Sequence, residues 1–381
     1  MFTSPLRGIL LSGVLSEAFR GANRPENIED ESLDVFTTRR FGEPFARTFG
    51  SALVHGIYAA DSRKLSVRAA FPSLWTAEER GRGSVVRGML TFSAPNHPYE
   101  RDYDLGETSR LLRDASVYSF RNGMQTLTNA LEHYLSNQSN VRILRNTSAT
   151  LLQQKVDKSL QVSLPLLKLV SAKCFVKITL SSGTSVNPTH TVSTLSLPTL
   201  KTLLPERTML PHLTANPSSS VSVVNVVFPG PPSEIHPEGF GYLIPRPASD
   251  YSQSSPAILG TVFDSCSLQA QDTSTQITKL TMMLGGPYPS HATDDIALPF
   301  ILRNLEEHLQ RRLPHPIFWK IWRNEKCIPT PTPGHLERMQ EMRNVLRDQW
   351  DERLQVIGAG VGGVSVGDCV EAGKRIGQRW T

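Results

Sequence analysis

The residues with the most chemical promise lie near the end of the chain. Leu354-Gln355-Val356-Ile357 precedes Gly358-Ala359-Gly360-Val361-Gly362-Gly363, which reads as a strand, a glycine turn and the start of a helix. Such a helix start presents free backbone N–H groups and roughly half a unit of positive charge, favouring an anion or an electron-rich ring oxygen. The letters fit G-x-G-x-x-G, the turn of a dinucleotide-binding βαβ unit, but only 18 residues follow Gly363. A βαβ unit needs ~30 residues and an acidic residue ~20 positions further on, so that reading fails. A plain helix packed on a sheet fits the spacing as well. No Ser/His/Asp set, paired carboxylates or metal cluster stands out elsewhere, so no residue is singled out as catalytic or metal-binding. Cys174, Cys266, Cys327 and Cys369 form no C-x-x-C pair and read as small buried hydrophobes. His55 reads as a satisfied polar residue in a helix, and Arg39-Arg40 and Asp294-Asp295 as solvated charged faces.

The elements that would position this turn come from a chain of 381 residues, 39% hydrophobic and 20% charged, which is a folding composition. The net charge of +5 suits an anionic partner or an anionic membrane face. No Lys/Arg stripe with interleaved aromatics is present, which argues against nucleic acid. No apolar run approaches the ~20 residues needed to span a bilayer. Leu6, Leu10, Val14 and Ala18 recur every four residues with Ile9 and Leu11 beside them, predicting an amphipathic helix rather than a cleaved leader.

Residues 1 to about 112 read as mostly helical. Val117 to Gly123 suggests a strand and turn, and Met124, Leu127, Leu131 and Leu135 one face of a helix. Short strands are predicted at Val141–Leu144, Leu160–Leu164, Cys174–Leu180 and Val192–Leu195. From Ser219 the chain is strand-rich: Val221–Phe228, Tyr242–Ile244, Ile258–Phe263 and Leu280–Leu284, each bounded by Gly or Pro, predict a mixed or antiparallel sheet. Helices follow at Ile296–Leu313 and Leu336–Trp350, then a strand at Leu354–Ile357 and a last helix from about Gly367 to Arg379.

Five ordered stretches resemble one family. Val361 to Arg375, with its Gly-Val-Ser-Val-Gly-Asp-Cys-Val-Glu-Ala-Gly-Lys core, resembles the C-terminal signature of protoporphyrinogen oxidases. Arg39 to Gly42 with Val54 to Asp61 and Leu65 to Arg68 resembles that family's helical domain. Phe120-Arg121-Asn122-Gly123-Met124 resembles the turn returning to its flavin domain. Gly239 to Pro245 with Leu259 to Ser265 resembles its substrate sheet, and Cys327-Ile328-Pro329 with Gly334-His335 the segment before the last helices.

The resemblance implies an α+β / α/β flavoprotein of the amine-oxidase-like superfamily. Its parts would be a helical membrane-binding domain (1–112), part of a split, Rossmann-like FAD-binding domain (113–205), a mixed-sheet substrate domain (206–330) and the C-terminal part of the FAD domain (331–381). The implied reaction removes six electrons from protoporphyrinogen IX, with FAD as cofactor and molecular oxygen reduced to hydrogen peroxide. Val364, Ser365 and Val366 would meet the flavin ring through backbone, Trp322 would pack near the isoalloxazine, and Ala149 would lie by the adenine. Phe240, Gly241 and Leu243 would form a substrate wall, with Val262 and Met283 nearby. Gly241 would let a flat macrocycle approach the backbone, and Phe240 could stack on it. On the residues alone, Phe240, Leu243, Val262, Met283 and Trp322 are also ordinary core choices. The implied location is the mitochondrial inner membrane, peripheral or monotopic, with Leu6 to Phe19 as the contact. A helix packed inside the domain is the alternative for that segment, and a homodimer is left open.

The sequence departs from the family pattern in three places. The family's first segment, with its strand, G-x-G-x-x-G turn, ribose-binding acid and an arginine paired with substrate, has no counterpart in residues 1–381. The split FAD domain is therefore expected to be incomplete, with FAD binding and activity weak in this chain alone. Pro165 to Phe175 reads as an insertion, and Ser196 stands where relatives usually have proline. Two other functions stay open: a different flavin amine-oxidase-like enzyme acting on amines or carotenoid precursors, and a non-catalytic remnant.

Overall fold

The computed structural model describes residues 5–91, 106–112, 118–156, 174–208, 210–252, 256–272, 276–289 and 296–380. Before the first strand come α1 (Pro5–Phe19), α2 (Leu33–Phe41), α3 (Glu43–Phe45), α4 (Ser51–Tyr58), α5 (Val67–Ala70), α6 (Pro72–Arg80), α7 (Val85–Leu90), α8 (Gly106–Leu112) and α9 (Gln125–Ser136). Strands β1 (Ala149–Val156), β2 (Cys174–Leu180), β3 (Ser185–Val186) and β4 (Thr191–Ser193) lead to α10 (Leu197–Leu203). Then come β5 (Ser218–Pro229), α11 (Pro232–Ile235), β6 (Gly241–Leu243), β7 (Ile258–Val262), α12 (Asp264–Ser267), β8 (Ile277–Gly285) and α13 (Leu298–Leu309). The last elements are β9 (Phe318–Pro329), α14 (His335–Trp350), β10 (Leu354–Val356) and α15 (Val366–Trp380).

The chain divides into two compact units, one of residues 1–67, 71–142 and 219–327, the other of 68–70, 143–218 and 328–381. The first holds a sheet of order β6-β7-β8-β5-β9. The strand pairs β5–β8, β6–β7 and β7–β8 are antiparallel. Val224, Val226 and Phe228 of β5 alternate inward with Leu280, Met282 and Leu284 of β8, in one core with Ile301 and Leu305 of α13. Period-two burial on the strands and i, i+4 spacing on the helix are what place these residues together. The second unit joins an antiparallel sheet, β1-β2-β3, to a parallel pair, β4 with β10. Its core is Leu152, Val176, Leu200, Met339, Met342, Leu346, Trp350 and Leu354.

Helix α1 packs in an unexpected way. Its apolar stripe faces out: Leu6, Leu10, Leu11, Leu15 and Phe19 are exposed, Phe19 to 88%. The inward face is Gly13 and Glu17. At Gly13 a Cβ would stand 3.0 Å from the Phe45 ring and 3.2 Å from the Phe41 carbonyl, so the glycine allows the close crossing. Glu17 is sealed beneath, its carboxylate accepting from Arg40 Nε at 2.9 Å, Ser84 Oγ at 2.8 Å, and the Val85 and Val86 N–H groups at 2.7 and 3.0 Å. It thus caps the start of α7, where a negative charge is favoured.

Arg39-Arg40 is accordingly not a solvated face. Arg40 is fully buried against Glu17, and Arg39 bridges Glu31 and Glu78. Charges brought out of water persist only when paired in this way. Val141–Leu144 is not a buried strand: Val141, Ile143 and Leu144 are exposed, and the chain pairs later, with β1 against β2. Residues 118–123 form a turn rather than a strand, with Gly123 at φ +82°. Residue 117, Leu160–Leu164, Asp294-Asp295 and most of the Pro165–Phe175 stretch lie outside the described residues. Helix α9 forms as the spacing predicts, yet none of its residues is buried. Strands β1 and β9 were not anticipated. β9 lies at the sheet edge and carries Lys320, Arg323, Glu325 and Lys326, the charge density by which edge strands avoid further pairing.

Candidate functional site

The face of the large sheet opposite α13 is half-covered. Register places Leu243 across from Gly260, Gly260 across from Met283, and Met283 across from Val223. A second row runs Gly241, Val262, Thr281 and Asn225. Trp322 of β9 extends that row, its indole N–H donating to Asn225 Oδ1 at 3.1 Å. Four of the residues expected at a substrate wall, Gly241, Leu243, Val262 and Met283, therefore share one face, and Trp322 shares it with them. Phe240 stands exposed just before β6.

Gly241 is required by the strand beside it. Its φ is +147°, and a Cβ there would lie 2.2 Å from the Thr261 carbonyl oxygen. The close approach is to the β7 backbone. Gly260 answers it, with the Tyr242 carbonyl 2.6 Å from where its Cβ would sit. On the other side of Leu243, Gly56 of α4 lets the leucine methyls within 2.9 Å of its own missing Cβ. The same helix is tied to the strand end by Arg246 N–H to Ser51 Oγ at 2.8 Å and by His55. His55 Nδ1–H donates to the Ile244 carbonyl at 2.6 Å, and Nε2 accepts from the Tyr251 hydroxyl at 2.8 Å. Burial holds the imidazole below its ordinary pKa and outweighs the Ile244 bond and the nearby Asp61. It is a neutral, fully paired structural residue.

Beside the Trp322 end of this face is a cleft of about 330 Å³, lined by Val227, Leu268, Phe318, Lys320 and Trp322 among others. The Lys320 ammonium sits 3.7 Å from the Trp322 ring centre, a cation–π contact. Asp264, at the start of α12, accepts from Thr281 Oγ1 at 2.6 Å. Burial pushes its carboxyl above the usual range, against the Thr281 bond and Lys279. Lys279 is itself paired with Asp272. Asn225, Asp264, Lys279, Thr281 and Lys320 were missed in the sequence. The one signal for Asp264 is its place in the Leu259–Ser265 stretch, directly after the strand.

In the other unit, β10 pairs in parallel with β4 and leads through Gly358, at φ +119°, to α15. Ser365 and Asp368 form a reciprocal cap on that helix. Ser365 Oγ accepts from Asp368 N–H at 3.0 Å, and Asp368 Oδ2 accepts from Ser365 N–H at 3.0 Å. This is the S-x-x-D capping box. The Asp368 carboxylate folds over Gly363, where a Cβ would meet it at 2.1 Å. The box leaves the Val366 and Gly367 N–H groups, which no helical carbonyl can reach. With a carboxylate already at this end, a second anion is repelled, while an uncharged ring oxygen is not. The helix start therefore fits the ring end of a flavin better than a phosphate. Ala149 is not placed after a strand at Ile143; it opens β1, opposite Leu180. Among the described residues no group of His, Cys, Asp or Glu could hold a metal ion, and no helix is long and apolar enough to cross a membrane.

One unit thus carries a strand–glycine turn–helix whose strand pairs in parallel with a second strand, and the other an antiparallel sheet with one half-covered face. The family of flavin containing amine oxidoreductases matches residues 5–379, and the chain belongs to it. It is 29% identical over 380 residues to the protoporphyrinogen oxidase of Macaca fascicularis, covering 93% of this chain and 70% of that one. It is 26% identical to the Schizosaccharomyces pombe protoporphyrinogen oxidase, over 94% of this chain and 70% of the relative. Its fold is similar to that of a solved Exiguobacterium protein assigned as a protoporphyrinogen oxidase, with TM-score 0.68 and 21% identity over 95% of this chain and 70% of that one. The chain is thus a flavin-dependent oxidoreductase with protoporphyrinogen oxidases among its relatives.

Proposed function

We propose that this protein oxidises protoporphyrinogen IX to protoporphyrin IX in haem synthesis, with FAD as its flavin and molecular oxygen as the final acceptor. The observation that carries the reading is the open sheet face, where Leu243, Val262, Met283 and Trp322 offer an apolar, aromatic platform suited to a flat tetrapyrrole. Phe240 and Gly241 border it. FAD, when bound, supplies the electron acceptor for the ring and hands the electrons to oxygen. Six hydrogens leave the macrocycle, and three oxygen molecules become three hydrogen peroxides. Val364, Ser365 and Val366 would hold the ring end of the cofactor through backbone groups, and Ala149 would border its adenine. No general acid or base is needed to explain the platform, whose part is to orient the ring and exclude water. The test is an oxidation assay with protoporphyrinogen IX against a panel of amines, reading protoporphyrin fluorescence and peroxide. Peroxide from amines and none from the porphyrinogen overturns the reading.

The same proposal places the protein on the mitochondrial inner membrane, through the helical segment 1–112. The support is the outward stripe of α1, where Leu6, Leu10, Leu11, Leu15 and Phe19 are exposed. Flotation with cardiolipin-containing vesicles should be lost in Leu11→Glu/Leu15→Glu, and equal flotation of the variant counts against it.

A further inference from the structure

A single polar line crosses the open face of the sheet, from Trp322 on β9 to Asp264 on α12. Trp322 Nε1–H donates to Asn225 Oδ1 at 3.1 Å. Asn225 Nδ2–H donates to Thr281 Oγ1 at 2.9 Å. Thr281 Oγ1–H donates to Asp264 Oδ2 at 2.6 Å. The line can run only one way. An indole nitrogen can donate and never accept, so Asn225 must turn its oxygen toward Trp322 and its NH2 toward Thr281. The Thr281 oxygen then accepts, leaving its own proton no destination but Asp264. The Asp264 carboxyl, accepting from Thr281 through Oδ2, ends the line.

We infer that Asp264 is a positioning residue: through Thr281 and Asn225 it fixes the rotamer of the Trp322 indole, and so sets the aromatic end of the platform for a flat ring ligand. The ligand half of this inference rests on the proposed function; the orientation half does not. Trp322 is half exposed and hydrogen-bonded at one edge only, so without that bond its ring is free to choose among rotamers. Lys320 over the ring adds an attraction without a direction. The hydrogen-bond line is what makes one orientation unique.

The test uses the full chain with indole-15N tryptophan, whose five indole signals are sorted by the loss of one in Trp322→Phe. In Thr281→Val and Asp264→Leu, the Trp322 signal should shift and its proton should exchange with water about three- to tenfold faster, as expected for losing about one net hydrogen bond. The other four indoles should stay in place. Asp264→Asn, which keeps an accepting oxygen, should restore the wild-type signal. If Asp264→Leu fails to fold, Thr281→Val, close to isosteric and at home in a strand, gives the same reading. An unchanged Trp322 signal in the folded variants overturns the inference. Protoporphyrin IX binding, read by tryptophan quenching, is measured alongside. Thr281→Val should weaken it by a similar factor, and should add nothing in a Trp322→Phe background. A Trp322 signal that responds while Trp322→Phe binds the porphyrin as wild type does would uphold the relay and overturn the role of this face in ring binding.

Discussion

Arg40 meets Glu17 at 2.6 Å with neither side chain reached by solvent. Around this pair the helical region of the first unit adds a buried charge network to an apolar core that includes Leu33, Phe36, Val54, Leu65 and Val85. Arg39, Arg24, Glu31 and Glu78 extend the same network.

Breaking it from one side should be severe. Glu17→Ala strands the Arg40 guanidinium and uncaps α7, and should cost about 3–5 kcal/mol in a urea melt. Burial alone would raise the Glu17 carboxyl, but the bonds from Val86, Arg40, Val85 and Ser84 together hold it below its ordinary value of 4.5. Glu78 is held low in the same way, by Arg39 and Arg24 against burial. A depressed folded pKa means stability that is present above 4.5 and lost as pH falls through the folded value. The acid limb of the wild-type stability curve should therefore flatten in a double Glu17→Gln/Glu78→Gln variant.

His55 predicts a second, milder pH effect. Its folded pKa lies below the ordinary 6.5, because burial penalises the cation. The unfolded chain then takes up the proton first, so stability declines as pH drops from 6.5 toward the folded pKa. Urea midpoints measured on either side of that value should differ in the wild type and converge in His55→Gln, which cannot titrate.

Two neighbouring glycines separate strain from collision. Gly239 and Gly241 have φ of +150° and +147°, yet a Cβ at Gly239 meets nothing while one at Gly241 strikes the Thr261 oxygen. Gly239→Ala should lose about 1–3 kcal/mol from backbone strain alone. Gly241→Ala should lose clearly more in the same thermal melt, with or without a ring ligand present. Equal losses would refute the collision with β7.

The α15 cap should behave as a unit. Ser365→Ala and Asp368→Ala should each cost about 1 kcal/mol of helix stability, and the double variant less than the sum. Hydrogen exchange of the first turn of α15 reads this directly.

How much was legible beforehand depended on whether the signal was local. The β-branched run at Val221–Phe228, the turn after Val356 and the helix spacing of Met124 to Leu135 and Leu336 to Trp350 are local patterns, and β5, β10, α9 and α14 form where those patterns stand. β9 was hidden because an edge strand carries charges instead of alternation. The Glu17–Arg40 pair spans 23 positions and the Trp322–Asn225 bond 97, distances over which composition shows two polar residues but not that they meet. Gly241 is expected to let a ring approach the backbone, whereas its own approach to the β7 backbone could be read only from the register of β6 on β7.

The inverted packing of α1 separates two properties that most amphipathic helices combine. Its grip on the fold lies in Gly13 and Glu17, so the leucines opposite are free to vary without loosening anything beneath them. Adhesion and folding can then drift independently along one helix, and a variant could lose all its surface stickiness yet melt at an unaltered temperature.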